Sequence, residues 1–416
     1  MTITPVLQVG QDDRPAHRDP NVLRWLGAYA ASMAGDGVYY VALSWAAVQA
    51  GSPAQAGLVM SVSALPRAIL MLGGGVIADR FGPRRVVIGS DAVRCATVCA
   101  VAVLLFLTGP VLWLLAALAL AFGIVDAVFV PAVGALPARI TGRAQLARVQ
   151  GMRGLAYRCA LIVGAPAGGL AVAFGGAATA FGAAGLLIAV SVPLLVAVRV
   201  RELPPDDTPA GTTTTAWRDL VVGLRYIRRH RVLAPLMLAI ALGDLGFVAP
   251  FNVGLTLLVD QRGWGAPGMG WVLAGFGVGA GSASMALAVR GRLPRAGQVA
   301  GGSIIAGSLA IAALAHVPSV LAAVGVALLI GLLVGLSGAM CGALLQTQSD
   351  PAFLGRVTAV SSLVSLGFAP LSMPLSAAAI GAWGTGPVFV ASAVVCGLGG
   401  VIALGARDLR RAELPG

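Results

Sequence analysis

Long apolar stretches alternate with short polar connections along the whole chain. The apolar runs fall at about 22–46, 56–78, 86–108, 111–137, 155–175 and 178–199, and again at 232–258, 267–289, 299–316, 319–345, 357–380 and 386–406. As helices these runs match a hydrocarbon layer about 30 Å thick. Backbone amides in lipid have no water to bond, so each run must satisfy its hydrogen bonds internally. The pattern predicts an all-α membrane protein with twelve transmembrane helices.

The second set of runs repeats the first. Gly35-Asp36 recurs as Gly243-Asp244, Gly134-Ala135-Leu136 as Gly342-Ala343-Leu344, Arg148-Val149 as Arg356-Val357 and Pro166 as Pro374, each at an offset of 208, half of the 416 residues. Fixed-period self-similarity is the mark of duplication. The expected organisation is a tail (1–21), a six-helix bundle (22–199), a linker (200–231), a second, pseudo-symmetric six-helix bundle (232–406) and a closing tail (407–416).

Charge gives this arrangement a direction. Connections from odd to even spans (QAGSPAQ, LTGP, FGGAA, HVPS, AWGTGP) carry none, and Asp260 and Arg262 are the exception. Connections from even to odd spans carry Arg80, Arg84, Arg85, Arg139, Arg143, Arg148, Arg199, Arg201, Arg225, Arg228, Arg229, Arg231, Arg290, Arg292, Arg295 and Arg356. Arginine-rich short loops stay on the cytoplasmic side, so both termini are expected there. The first residues, with Asp12, Asp13, Arg14, His17, Arg18 and Asp19, lack the basic start and apolar run of a cleaved signal peptide.

Composition narrows the chemistry. Hydrophobic residues make up 58% and charged residues 11%, with a mean hydropathy of +0.90, too few charges to coat a water-soluble globule of this size. All 28 Lys+Arg residues are arginine. That removes the lysine of a phosphate-binding loop, a retinal Schiff base and a pyridoxal phosphate site, so no cofactor and no enzyme activity are expected. The net charge of +12 lies in loops beside apolar spans, which argues against nucleic acid. Cys95, Cys99, Cys159, Cys341 and Cys396 lie inside apolar runs, and His17, His230 and His316 are scattered, so no metal site is expected. An arginine-only, Ala/Gly/Val-rich composition points to a GC-rich bacterial genome, and hence to a bacterial cytoplasmic membrane.

In the linker, Trp217, Leu220, Val221, Leu224 and Ile227 recur at helical spacing opposite Arg218, Asp219, Arg225 and Arg228. That is the pattern of an amphipathic helix on an anionic membrane surface; a plain solvated linker is the alternative.

Between the second and third spans stands Gly75-Val-Ile-Ala-Asp79-Arg80-Phe-Gly82-Pro-Arg84-Arg85. This loop resembles the signature loop of the major facilitator superfamily, and twelve spans with a half-chain repeat extend the resemblance over the whole chain. The resemblance implies a transporter whose loop braces the cytoplasmic gate. Its duplicate, Ala288 to Arg295, keeps arginines but has no acid. Gly164, Pro166, Gly168 and Gly169 in the fifth span resemble the superfamily's exporter motif, although Ala165 splits the usual Gly-Pro pair; a glycine-faced packing seam reads equally well. Gly35-Asp36, Asp91 with Arg94, the WRDLVVGLRYIRRHR linker and Leu354-Gly355-Arg356-Val357 resemble the group of macrolide efflux and enterobactin export proteins. That likeness implies cation-driven export of small molecules.

Charges inside apolar spans carry the strongest site signal, because each is costly unless it faces a cavity or a partner. Asp36, Arg67, Asp126 and Asp244 fall near mid-span. Asp36, Arg67 and Asp126 read either as cavity groups or as a buried ion pair, which would make poor proton carriers. Asp244 has no cation at similar depth in its own half, which suits a proton site; an inherited packing group is the alternative. Asp91 and Arg94 are expected at the cytoplasmic gate. Tyr39, Tyr40, Trp45, Phe247, Phe251 and Asn252, with Arg67, are expected to line a midplane cavity. The reading is a monomeric proton antiporter exporting an amphipathic organic compound; uptake by symport, or a receptor on the same fold, are the alternatives.

Overall fold

The computed structural model describes residues 15–109, 111–142, 145–200, 216–290, 295–350 and 353–413. Among them the chain is helical, with no strand. The first four spans are Pro20–Ala50, Pro53–Phe81, Pro83–Thr108 and Leu112–Ile140. Local chemistry starts them. Pro20 and Pro53 occupy first-turn positions where no amide partner is lost. Ser52 and Gln55 close a reciprocal capping box, with Gln55 Oε1 accepting from the Ser52 amide at 2.8 Å.

The helical stretch Leu146–Val196 breaks at Gly175 and Gly176, and Gly176 takes a φ of 72° that favours glycine. The limbs on either side return along the first span. Gly37 faces Gly164 in the earlier limb, and Gly35 faces Ala184 and Ile188 in the later one. These limbs are the fifth and sixth spans. After the linker helix Ala216–Arg229, the seventh span runs Leu233–Gln261, the eighth Gly265–Arg290, the ninth Ala296–Leu314, the tenth Val320–Gln348, the eleventh Leu354–Trp383 and the twelfth Thr385–Gly405. Nine described stretches are long and apolar enough to cross a membrane; with the hairpin counted as two and the first two spans added, the fold is consistent with twelve. Phe106, Phe174, Leu321 and Trp383 stay exposed on the outside of the bundle, as lipid-facing residues do.

The linker helix docks on the C-terminal half. Leu220 and Ile227 pack into that half's core, while Val221 and Leu224 remain exposed. Tyr226 stacks on Phe353 at 4.5 Å, and its hydroxyl accepts from the Asp350 amide at 3.1 Å. Residues 1–14 and 201–215 lie outside the described residues.

The two halves meet where the second span packs on the eleventh and the fifth on the eighth. Backbones come close there because glycine leaves room. A Cβ on Gly57 would sit 3.0 Å from Pro374 Cα, and one on Gly270 would sit 2.8 Å from Pro166 Cα. Both contacts lie toward the arginine-poor end of the bundle. The same end is tied by Gln49 Nε2, which donates to Asp260 Oδ1 at 2.8 Å across the two halves.

Candidate functional site

A cavity of about 680 Å³ lies between the halves. It runs from Ser44, Met60 and Met269 toward the arginine-poor end to Gln150 and Arg153 near the arginine-rich end, where Gln150 is exposed. Asp36, Arg67, Asp126, Tyr40, Phe247, Phe251 and Asn252 line it, as their positions in the sequence predict. Tyr39 and Trp45 do not. Tyr39 is one residue, about 100° of helix, away from Tyr40, and it lies fully buried with its ring stacked on Phe122 at 3.7 Å. Trp45 packs partly buried against both apolar cores. Asp244 lines a separate cavity of about 290 Å³ within the C-terminal half.

The polar wall of the central cavity is one charge cluster. Arg94 on the third span has no exposed surface. It donates to Asp36 of the first span, to Asp91 of its own span at 3.3 Å and pairs with Asp126 of the fourth at 3.3 Å. Its guanidinium carbon lies 5.0 and 4.6 Å from the ring centres of Phe122 and Phe129, a cation–π sandwich. Asp91 faces away from the cavity and accepts from Ser32 at 3.0 Å and from Ser191. Arg67, half-buried, approaches Asp126 at 3.9 Å, and the Tyr40 hydroxyl donates to the same carboxylate at 3.4 Å. Of the two pairings open to Arg67 on sequence grounds, the Asp126 one is present. Asp91 and Arg94, the pair expected at the gate, are buried and joined to Asp36 and Asp126, because the face of the third span that carries them turns into the bundle.

The opposite wall is apolar and aromatic. Phe247 and Phe251 stack at 4.9 Å, with Phe276 of the eighth span 4.5 Å from Phe251. A π-helical turn at Pro250–Gly254 inserts an extra residue into the seventh span, which brings Asn252 onto the same cavity as Phe247 and Phe251. Sequence reasoning missed Met33, Met60, Phe129, Gln150, Arg153, Tyr157, Met269 and Phe276, which also line the cavity. For the methionines and phenylalanines the surrounding span is apolar on every side, so periodicity gives no inward face and only the residue types hint at a site. Gln150, Arg153 and Tyr157 recur at helical spacing on the polar start of the fifth span, a signal that was there to read.

A bundle pair around a central cavity with a charge cluster matches a known architecture. The sequence profile of the Major Facilitator Superfamily matches residues 25–367. The chain belongs to that superfamily. Its structure overlays a peptide transporter of the POT family in complex with sulfate at a TM-score of 0.73 over 98% of both chains, at 14% identity, a likeness of fold. The multidrug efflux pump Tap of Mycobacterium tuberculosis is 28% identical over 416 residues, covering 96% of each chain. The enterobactin exporter EntS of Escherichia coli O1:K1 is 27% identical over 352 residues, 83% of this chain and 80% of the relative.

The superfamily's signature loop is described in part. Gly75 and Asp79 fall in the last turns of the second span, with their side chains outside the described residues. Gly82, at φ 84°, turns the chain into the third span. Arg84 donates from Nε to the Leu195 carbonyl at 3.3 Å and from Nη2 to that of Val196, tying the loop to the end of the sixth span, whereas Arg80 and Arg85 are exposed. The fifth-span motif forms a seam. Gly164 meets Ala34 and Gly168 meets Val38 on the first span, while Pro166 and Gly169 meet Gly270 and Ala266 on the eighth.

Proposed function

We propose that this superfamily transporter is a proton-coupled exporter of small amphipathic organic compounds, working by alternating access in a bacterial cytoplasmic membrane. The observation that carries the reading is the central cavity. One side of it is a charge cluster, the other an aromatic wall, and it reaches Gln150 and Arg153 near the arginine-rich end, whereas Gly57 on Pro374 and Gln49 on Asp260 join the halves at the arginine-poor end. Such a cavity suits a compound with an apolar body and one polar or charged group. Arg67 would meet an anionic or polar group and Asp36 a cationic one, while Phe247, Phe251 and Phe276 would hold the ring system.

The arginine-rich end is assigned to the cytoplasm by the loop charges, which makes this an inward-open arrangement with both termini inside and the linker helix against the anionic inner leaflet. A single chain encloses the whole cavity, so a monomer suffices. Export as the direction, and drug-like or siderophore-like compounds as cargo, are supported by the names of relatives, an efflux pump and a siderophore exporter. Asp36, Asp126 and Asp244 are the candidates for the proton. Asp79 of the signature loop is assigned the bracing of the outward-open state.

Everted membrane vesicles test direction. With respiration energising the membrane, vesicles containing the protein should accumulate fluorescent amphipathic dyes or labelled siderophores above vesicles lacking it. Accumulation confined to right-side-out vesicles would reverse the direction and make the protein an uptake symporter.

A further inference from the structure

The C-terminal half holds a cavity of about 290 Å³ where the N-terminal half holds its charge cluster. The duplication makes the comparison residue by residue. Pro83 opens the third span and Ala296 the ninth, and with those starts paired the buried positions coincide. Ser90, Asp91, Arg94 and Val98 fall on Ser303, Ile304, Gly307 and Ile311, all of them buried. The fourth and tenth spans pair from Leu112 on Val320, which sets Asp126 on Val334 and Phe129 on Ser337.

Asp36 thus keeps its counterpart, Asp244, while everything that neutralises it has gone. Gly307 stands for Arg94, Ile304 for Asp91 and Val334 for Asp126. All three line the cavity, as does Ser337 in place of the Phe129 ring. Trading a guanidinium and an aromatic ring for a glycine and a serine leaves space beside a carboxylate. Asp244 accepts a hydrogen bond from Ser365 of the eleventh span, and the hydroxyls of Ser303, Ser337 and Ser361 share the cavity. Among the described residues no arginine or histidine lines it; the other titratable groups there are Cys341 of the tenth span and Cys396 of the twelfth. Phe247 lines both this cavity and the central one.

We propose that the cavity beside Asp244 is a site for a small monovalent cation, a proton or a partly hydrated sodium ion, which supplies the charge that Arg94 supplies in the other half. A carboxylate deep in a membrane bundle needs a neutralising partner, and an exchangeable one serves where a tethered guanidinium is lacking. In the exporter proposed above, on which this role rests, cation arrival at Asp244 and cargo arrival in the central cavity would both be felt at Phe247, which lines the two. Asp36 and Asp126, held by Arg94, would then fix the bundle and meet cargo rather than carry the coupling ion.

The test uses the full-length protein in lipid nanodiscs without cargo, so its outcome is separate from that of the vesicle assay. Infrared difference spectra across a pH step should show a protonated carboxyl band that disappears in Asp244→Asn and persists in Asp36→Asn. Sodium chloride arms, set against choline chloride, separate the two cations: a band suppressed by sodium together with binding of radioactive sodium identifies the metal ion, and an insensitive band identifies the proton. Gly307→Arg restores the missing guanidinium and should abolish both signals without lowering the unfolding temperature. A band and sodium binding unchanged in Asp244→Asn, or in Gly307→Arg, overturn the proposal. So does a wild-type protein with neither a titrating carboxyl nor bound sodium.

Discussion

Arg94 and Asp126 meet at 3.3 Å, joining a guanidinium sealed inside the N-terminal half to a carboxylate that faces the cavity. The same arginine holds Asp36 and Asp91, so one side chain ties the first, third and fourth spans together and sets the charge presented to cargo. Removing one member of such a buried network leaves the others uncompensated.

Arg94→Ala is therefore expected to destabilise the protein by about 3–5 kcal/mol. Arg94→Lys should recover little of this, because a compact ammonium cannot span three carboxylates as a planar fork does. Thermal unfolding in detergent reads both. An unfolding temperature unchanged in Arg94→Ala would show that the cluster does not hold the bundle.

Arg67 differs from Arg94 in burial and in distance. Its side chain is 34% exposed to the cavity and 3.9 Å from Asp126, so Arg67→Ala should cost no more than about 1 kcal/mol of stability. Cargo carrying an anionic or polar group should lose affinity by about tenfold, or about 1.4 kcal/mol. Cargo binding by fluorescence quenching, paired with unfolding curves, separates the two effects. A large stability loss with unchanged cargo binding would make Arg67 a structural residue.

The contact of Gly57 with Pro374 has no room for a side chain, since a Cβ there would stand 3.0 Å from Pro374 Cα and 3.1 Å from the Met373 carbonyl oxygen. Gly57→Val should wedge the second span away from the eleventh. Spin labels at positions 53 and 381, whose residues adjoin in this state, should then report a longer distance in a variant cleared of native cysteines. An unchanged distribution would mean that this contact does not seal the arginine-poor end.

Much of the fold and part of the site could be read before the structure. Asp36, Arg67 and Asp126 stand out because a charge in an apolar span demands a reason, and all three line the cavity. The phase of each helix could not be read. Tyr39 and Tyr40 are neighbours in sequence, yet one is packed on Phe122 and the other faces the cavity, and a helix that is apolar all round gives no clue which. The depth of Arg94 in the third span could be read, whereas its contacts with Asp36 and Asp126 came from the structure. The repeat misled in one respect: a constant offset from Arg94 lands on Gly302, whereas the burial pattern of the ninth span pairs it with Gly307. The π turn that contains Asn252 likewise leaves no periodic trace.

Tyr226 carries the linker helix on Phe353 through a parallel stack. Such pairs contribute about 0.5–1.5 kcal/mol beyond area burial. Tyr226→Ala should raise amide hydrogen exchange across Ala216–Arg229 while leaving the spans protected. Exchange unchanged in that helix would show that it is held by the membrane surface or by Ile227 alone.

The central claim is that an amphipathic organic compound crosses through this cavity in exchange for protons. Purified protein in liposomes with an imposed pH gradient and an internal pH dye tests it, with dyes, antibiotics and siderophores supplied one at a time. The account predicts that at least one cargo dissipates the gradient faster than in protein-free liposomes, that Arg67→Ala weakens the effect for cargo with an anionic group, and that cargo moves against the proton flow. A gradient that decays at the protein-free rate with every cargo, while the same compounds bind the protein, would contradict proton-coupled transport.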